Sequence, residues 1–119
     1  MTTYKLTQYR LCPRSRSVRL ALAELGIEAE LAEEMPWELR RGFLAKNPAG
    51  ELPVLELGNG LTLCGAYSIS EYLGDAGKPP AGPRSVSLFP GSIEDRAEVR
   101  RLVDWFHGKL EREVTREFL

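Results

Sequence analysis

The sequence predicts an α/β domain with elements in the order βαβ, α, ββα, followed by a linker and one long helix. Three observations carry this reading: a strand, loop and helix unit at residues 4–26, two apolar runs joined by Gly58-Asn59-Gly60, and an amphipathic stripe from Val99 to Val114.

Tyr4 to Gln8 alternates polar and apolar side chains with aromatic and β-branched character, the pattern of a half-buried strand. Cys12 closes the next loop. Pro13 suits the first turn of a helix, where its missing N–H costs nothing, and Val18, Ala21, Leu22 and Leu25 recur at helical spacing until Gly26 stops the run. Ile27 to Glu33 sets Ile27, Ala29 and Leu31 between acidic residues, a weaker strand that would complete a right-handed β-α-β crossover. Trp37 to Lys46 carries Leu39, Phe43 and Leu44 and ends before Asn47-Pro48, as a short second helix does.

ELPVLEL and LTLC, on either side of the glycine turn, form a hairpin, with Cys64 expected in the core. Ala66 to Leu73 puts Ile69, Tyr72 and Leu73 on one helical face, with Gly74 as the terminator. The expected units are therefore a domain at 1–74, a Gly- and Pro-rich linker at 75–91 anchored by Leu88-Phe89-Pro90, and a helix at 92–119. Ser92 and Asp95 resemble a capping box. Val99, Leu102, Val103, Phe106, Leu110 and Val114 form the stripe of the Ser92 to Phe118 helix, with Gly108 its weak point. No other part of the sequence is left to cover that stripe, so a fragment, a truncated chain or a helix that pairs with another subunit is expected.

With 119 residues and 43% apolar content, the chain suffices for one compact domain with its own core. Lys and Arg number 16 against 17 Asp and Glu, a balance that gives no field for nucleic acid or an anionic membrane. MTTYKLTQYRL lacks the apolar run of a signal peptide, and no segment approaches the ~18 apolar residues that cross a bilayer, so a cytoplasmic protein is expected. In that reducing compartment Cys12 and Cys64 read as free thiols. The single histidine, His107, leaves no tetrahedral metal set to assemble, and no permanently bound cofactor is expected.

CPRSRSVRLALAELGI, FLAKNPAGELPVLEL and GAYSISEYL resemble, in order and spacing, three segments of the glutathione transferase superfamily: its first loop and helix, its second helix and third strand, and its third helix. The resemblance covers residues 4–73 and continues through the linker into what would be the first helix of the family's all-helical second domain. It implies a thioredoxin-like N-terminal domain, glutathione as co-substrate, a small electrophile as its partner in the reaction, and a homodimer formed through the third helix and the Ser92 helix. Pro53 matches the proline that the family holds in the cis form. A cis bond there folds the chain sharply and exposes the backbone of Leu52 to an extended peptide such as glutathione. Only about 5% of X-Pro bonds are cis, so the surrounding motif carries that expectation.

Cys12 stands where cysteine-type members such as the omega class carry their nucleophile, and CPRS has the CPxS pattern of a monothiol glutaredoxin. At a helix N-terminus, with Arg10, Arg14 and Arg16 nearby, a thiolate would be stabilised. Ser15 replaces a second cysteine, so a redox cycle would run through a mixed disulfide with glutathione. Other members activate glutathione with serine or tyrosine, which makes Ser15 the next candidate, ahead of Ser17 and Tyr9. The plainer alternative for Cys12 is a small packing group.

Gly65-Ala66 departs from the family pattern, in which a Glu-Ser pair usually receives the γ-glutamyl end of glutathione. Ala66 keeps its N–H and the helix dipole, but the hydroxyl and the acidic side chain are gone. One neutral and one charge-assisted hydrogen bond lost together weaken binding by about one to three orders of magnitude, unless contacts from elsewhere replace them. Trp37 and Tyr67 read as packing anchors at the cleft rim, and His107 as a helix residue without a partner. Arg100, Arg101, Lys109, Arg112 and Arg116 read as a solvated face interleaved with acids. EVRRLVDWFHGKLEREVT is similar to the opening of the helical domain in alphaproteobacterial division regulators that bind the tubulin-like protein FtsZ, the FzlA-like subfamily. Two functions follow from these resemblances. One is glutathione conjugation or thiol transfer at Cys12 or Ser15, with Leu52, Pro53, Gly65 and Ala66 holding glutathione. The other is a non-catalytic interaction protein that binds FtsZ.

Overall fold

A computed structural model describes residues 4–76 and 88–118, Phe118 by its backbone only. β1 (Tyr4–Gln8) is an inner strand of a four-stranded sheet of order β2-β1-β3-β4, and its consecutive residues Leu6, Thr7 and Gln8 are all buried, so the strand expected to be half-buried is covered on both faces. It pairs in parallel with β2 (Ala29–Glu33) and antiparallel with β3 (Val54–Glu56), with Leu6 opposite both Leu31 and Leu55. β3 turns back into β4 (Thr62–Cys64) as the glycine turn requires, and Gly60 sits at φ 91°, a region that side chains rarely adopt. Asn59 Oδ1 accepts from the Leu61 N–H at 3.0 Å and closes that turn.

Helices α1 (Pro13–Glu24) and α3 (Ala66–Ala76) cover one face of the sheet. Val18, Leu22, Ile69 and Leu73 pack there on Leu6 and Leu55, all essentially withdrawn from water. The other face carries a smaller cluster of Cys12, Phe43, Leu52 and Val54, with Phe43 supplied by α2 (Arg41–Lys46). The end of α1 is a Schellman motif: Gly26 N–H donates to Ala23 O at 3.1 Å and Ile27 N–H to Leu22 O at 2.9 Å. Ile27 is thus spent on the helix end, and β2 begins only at Ala29.

Four expectations are corrected. The helix expected over Trp37–Lys46 is two pieces, a 3₁₀ turn at Pro36–Glu38 and α2, because Leu39 is left-handed (φ 49°) and Arg40 extended. Gly74 does not end α3, which runs on to Ala76; its missing side chain instead admits the Phe89 ring, whose Cδ2 would lie 2.7 Å from a Cβ at this position. Cys64 is exposed rather than core. It shares a face with Val54, its partner across the ladder, but the Phe43 cluster on that face does not extend over the edge strand.

The fourth correction concerns the C-terminal helix. Its start is capped as expected, Ser92 Oγ accepting from the Asp95 N–H at 3.2 Å and the Asp95 carboxylate from the Ser92 N–H at 3.1 Å. α4 (Ile93–Trp105) then gives way to a π-helical segment, Phe106–Thr115, with a final α turn at Arg116–Phe118. The winding changes at Phe106, ahead of the expected weak point at Gly108. Arg100 ties α4 to α3 through a two-pronged bond to Glu71 at 2.6 and 3.1 Å, and lies over the Phe89 ring at 4.8 Å from its centre. That bond holds the Glu71 carboxyl below the usual range. Most of the expected linker, residues 77–87, lies outside the described residues. Among the described residues no helix is long and apolar enough to cross a membrane.

Candidate functional site

The turn from β1 into α1 makes Cys12 the N-cap of α1. Its N–H donates to Tyr9 O at 3.0 Å, and its Sγ accepts from the Ser15 N–H at 3.4 Å, so a sulfur occupies the place where an oxygen usually caps a helix. The residue is 8% exposed and packs with Leu52 and Phe43. It opens into a cleft of about 190 Å³ lined also by Tyr9, Trp37, Glu51, Leu52 and Glu111. Tyr9 and Trp37 meet edge to face, 5.2 Å between ring centres, so these aromatics wall the cleft as well as pack. The Leu52-Pro53 bond is cis. Among the described residues no hydrogen bond engages the Leu52 backbone, whereas Pro53 C=O accepts from the Gly65 N–H at 2.9 Å.

Ser15 is fully buried, and its hydroxyl accepts from the Tyr9 N–H at 3.4 Å; it shapes the loop and does not line this cleft. The three arginines around Cys12 separate. Arg10 pairs with Glu33 at 3.5 Å, Arg16 is exposed, and Arg14 alone turns into the cleft.

A second cleft, also about 190 Å³, lies at the start of α3 and is lined by Arg14, Gly65, Ala66, Tyr67, Asp104 and His107. Gly65 sits at φ 94°, a conformation that strains any side chain, which accounts physically for glycine at this point. Ala66 opens α3, so its N–H belongs to the free first turn. The structure thus gathers Cys12 and Leu52 in one cleft and Gly65 and Ala66 in the other, with Arg14 lining both. Arg14 reaches Glu51 at 3.4 Å and Glu111, of the π segment, at 3.7 Å.

The π segment supplies what sequence reasoning passed over. His107 and Glu111 face the clefts, and burial together with the Arg14 charge pulls the His107 pKa down, against the opposing pull of Glu111 and Asp104. Arg116, expected on the solvated face, lines the Cys12 cleft. A signal was present: His107 follows Val103 by four residues and precedes Glu111 by four, so polar side chains continue the inward stripe.

Comparison with known proteins agrees with this architecture. Residues 6–81 match the model of the glutathione S-transferase N-terminal domain. The chain belongs to the glutathione S-transferase family. FtsZ-localized protein A of Caulobacter vibrioides is 33% identical over 112 residues, covering 92% of this chain and 46% of that protein. A glutathione S-transferase structure from Sinorhizobium meliloti superposes with a TM-score of 0.84 at 46% identity, over 98% of this chain and 48% of its own. Another, from Methylobacterium radiotolerans in complex with glutathione sulfonate, gives a TM-score of 0.71 at 31% identity over 83% of this chain and 44% of its own. The chain therefore spans about half the length of these relatives.

Proposed function

We propose that the protein is a cytoplasmic glutathione-dependent thiol transferase or conjugating enzyme with Cys12 as its nucleophile. The carrying observation is the Cys12 Sγ at the α1 N-terminus, in a cleft shared with Leu52 beside cis-Pro53. Leu52 would pair with the glutathione backbone, and the Ala66 N–H would receive its carboxylate. In thiol transfer, the Cys12 thiolate attacks the glutathione sulfur of a mixed disulfide. Cys12 becomes joined to glutathione, and the other thiolate leaves and takes up a proton. A second glutathione thiolate then attacks the glutathione sulfur of that bond, releasing oxidised glutathione and the Cys12 thiolate. Isothermal titration of the full chain with glutathione, beside Cys12→Ser, tests this: millimolar or tighter binding, with activity absent in the variant, is the expected result. No binding and an indifferent variant would sink it.

An interaction role with FtsZ is the second reading. It is favoured by the identity to FtsZ-localized protein A and by the exposed Leu102, Trp105 and Phe106 on the C-terminal helix. Charge substitutions on that helix should then abolish FtsZ pull-down, and unaffected capture would remove the idea. The same apolar side chains suit a homodimer, which a sizing column would reveal.

A further inference from the structure

β2 takes no part in lining either cleft. It forms one edge of the sheet, and among the described residues no strand lies beyond it. The Glu34 N–H donates to Gln8 O at 2.9 Å, towards β1. Strand alternation then turns the N–H and C=O groups of Ala29, Leu31 and Glu33 to the open side, a row of main-chain groups free to pair with another strand. Leu31 stands opposite Leu6 and so shares the α1 face of the sheet, yet it is 54% exposed. An open cavity of about 160 Å³ lies beside it, lined by Arg19, Leu22, Ala23, Ile27, Ala29 and Leu31. Arg19 is engaged there by bonds to Gln8 Oε1 and, at 3.4 Å, to the Arg10 carbonyl.

Glu28 and Glu30 alternate with these apolar residues, on the opposite face. Both are exposed, and neither pairs with a cation among the described residues, whereas Glu33 pairs with Arg10. Exposed edges are commonly guarded by lysine, proline or a bulge; β2, with the sequence AELAE, carries neither of those residues. Two copies joined through this edge would bring Glu28, Glu30 and Glu33 of each together, which disfavours self-pairing and favours a strand of opposite charge. We infer that the free edge of β2 is a docking site for an extended protein segment that alternates apolar and basic side chains and adds a fifth strand to the sheet. Its apolar side chains enter the Leu31 cavity, its lysines or arginines meet Glu28 and Glu30, and its main chain pairs with Ala29, Leu31 and Glu33. The surface shares no lining residue with either cleft, so it stands independently of the glutathione reading.

The isotope-labelled full chain is titrated with a short, end-blocked peptide of alternating valine and lysine, and amide hydrogen exchange is followed by NMR. Bound peptide should slow exchange at Ala29, Leu31 and Glu33 about tenfold or more, and leave Glu30 and Ala32, which point to β1, unchanged. A peptide with glutamate in place of lysine should not bind, nor should one N-methylated at the amides that face β2. Glu28→Gln combined with Glu30→Gln should weaken binding about fivefold, and Leu31→Asp should abolish it. All three side chains are exposed, so the fold should survive these changes. Unslowed amides on the open side, equal binding by the glutamate or N-methylated peptide, or unchanged affinity in the variants would overturn the proposal. Protection of Leu31 that grows with protein concentration in the absence of peptide would give the edge to a second copy, and would overturn it too.

Discussion

The Cys12 end of the site is built within the sheet domain: β1 delivers the loop, α1 caps on the sulfur, and β3 brings cis-Pro53 and Leu52 alongside. The Ala66 end is different. Its floor is the first turn of α3, but its walls are Asp104, at the end of α4, and His107 of the π segment, held on the domain by Arg100–Glu71, the Phe89 contact and Arg14–Glu111. The thiol and Leu52 are therefore placed by the sheet domain, with Glu111 and Arg116 of the C-terminal helix reaching only the edge lining of their cleft, whereas the other end has that helix for its wall.

The largest effect should come from the thiol end. Cys12→Ser should reduce thiol transfer to the uncatalysed level while leaving glutathione affinity within a few-fold, since the hydroxyl can still cap α1. Steady-state rates beside calorimetric titration check this; retained turnover would move the chemistry away from Cys12. Docking of the other end is tested next by Gly74→Ala, whose methyl would meet the Phe89 ring at 2.7 Å. Overpacking of this kind costs about 1–3 kcal/mol, read by denaturant unfolding. Glutathione affinity should fall, while Cys12, set by the sheet domain, should remain open to alkylation.

Smaller still is the gain from Ala66→Ser. Adding a hydroxyl at the first turn of α3 restores one neutral hydrogen bond, or about a two- to tenfold tighter complex with glutathione. Gly65→Glu should not help, because at φ 94° any side chain is strained. If the glutamate variant binds better than the serine variant, the backbone argument at Gly65 is wrong.

Cys12 was legible because a proline, a helix pattern and a cysteine at the cap are local signals, and the hairpin was legible because its turn is written in glycines. Leu39 was not, since a left-handed leucine leaves no mark in composition. Gly74 was misread because glycine at a helix end and glycine under an aromatic ring look alike until the ring's position is known. Cys64 needed knowledge of how far the Phe43 cluster reaches across the sheet. His107 and Glu111 were visible only as polar intrusions on an apolar stripe, and their meaning depended on which element the stripe faced.

The smallest effect is a pH dependence confined to the docked end. Burial and Arg14 depress the folded-state pKa of His107 below its ordinary 6.5, so the unfolded chain binds more protons in the window between the two values. Stability from this group is fully present above pH 6.5 and declines as pH falls through that window. Glu111 and Asp104 pull the other way and keep the effect modest. His107→Gln cannot titrate, so thermal unfolding of the variant should lose less stability on acidification than the parent protein. Because both proteins carry the same carboxylates, the difference between their pH profiles isolates the imidazole. Parallel profiles would mean that His107 is as well solvated in the folded chain as in the unfolded one, and that the π segment does not close over the start of α3.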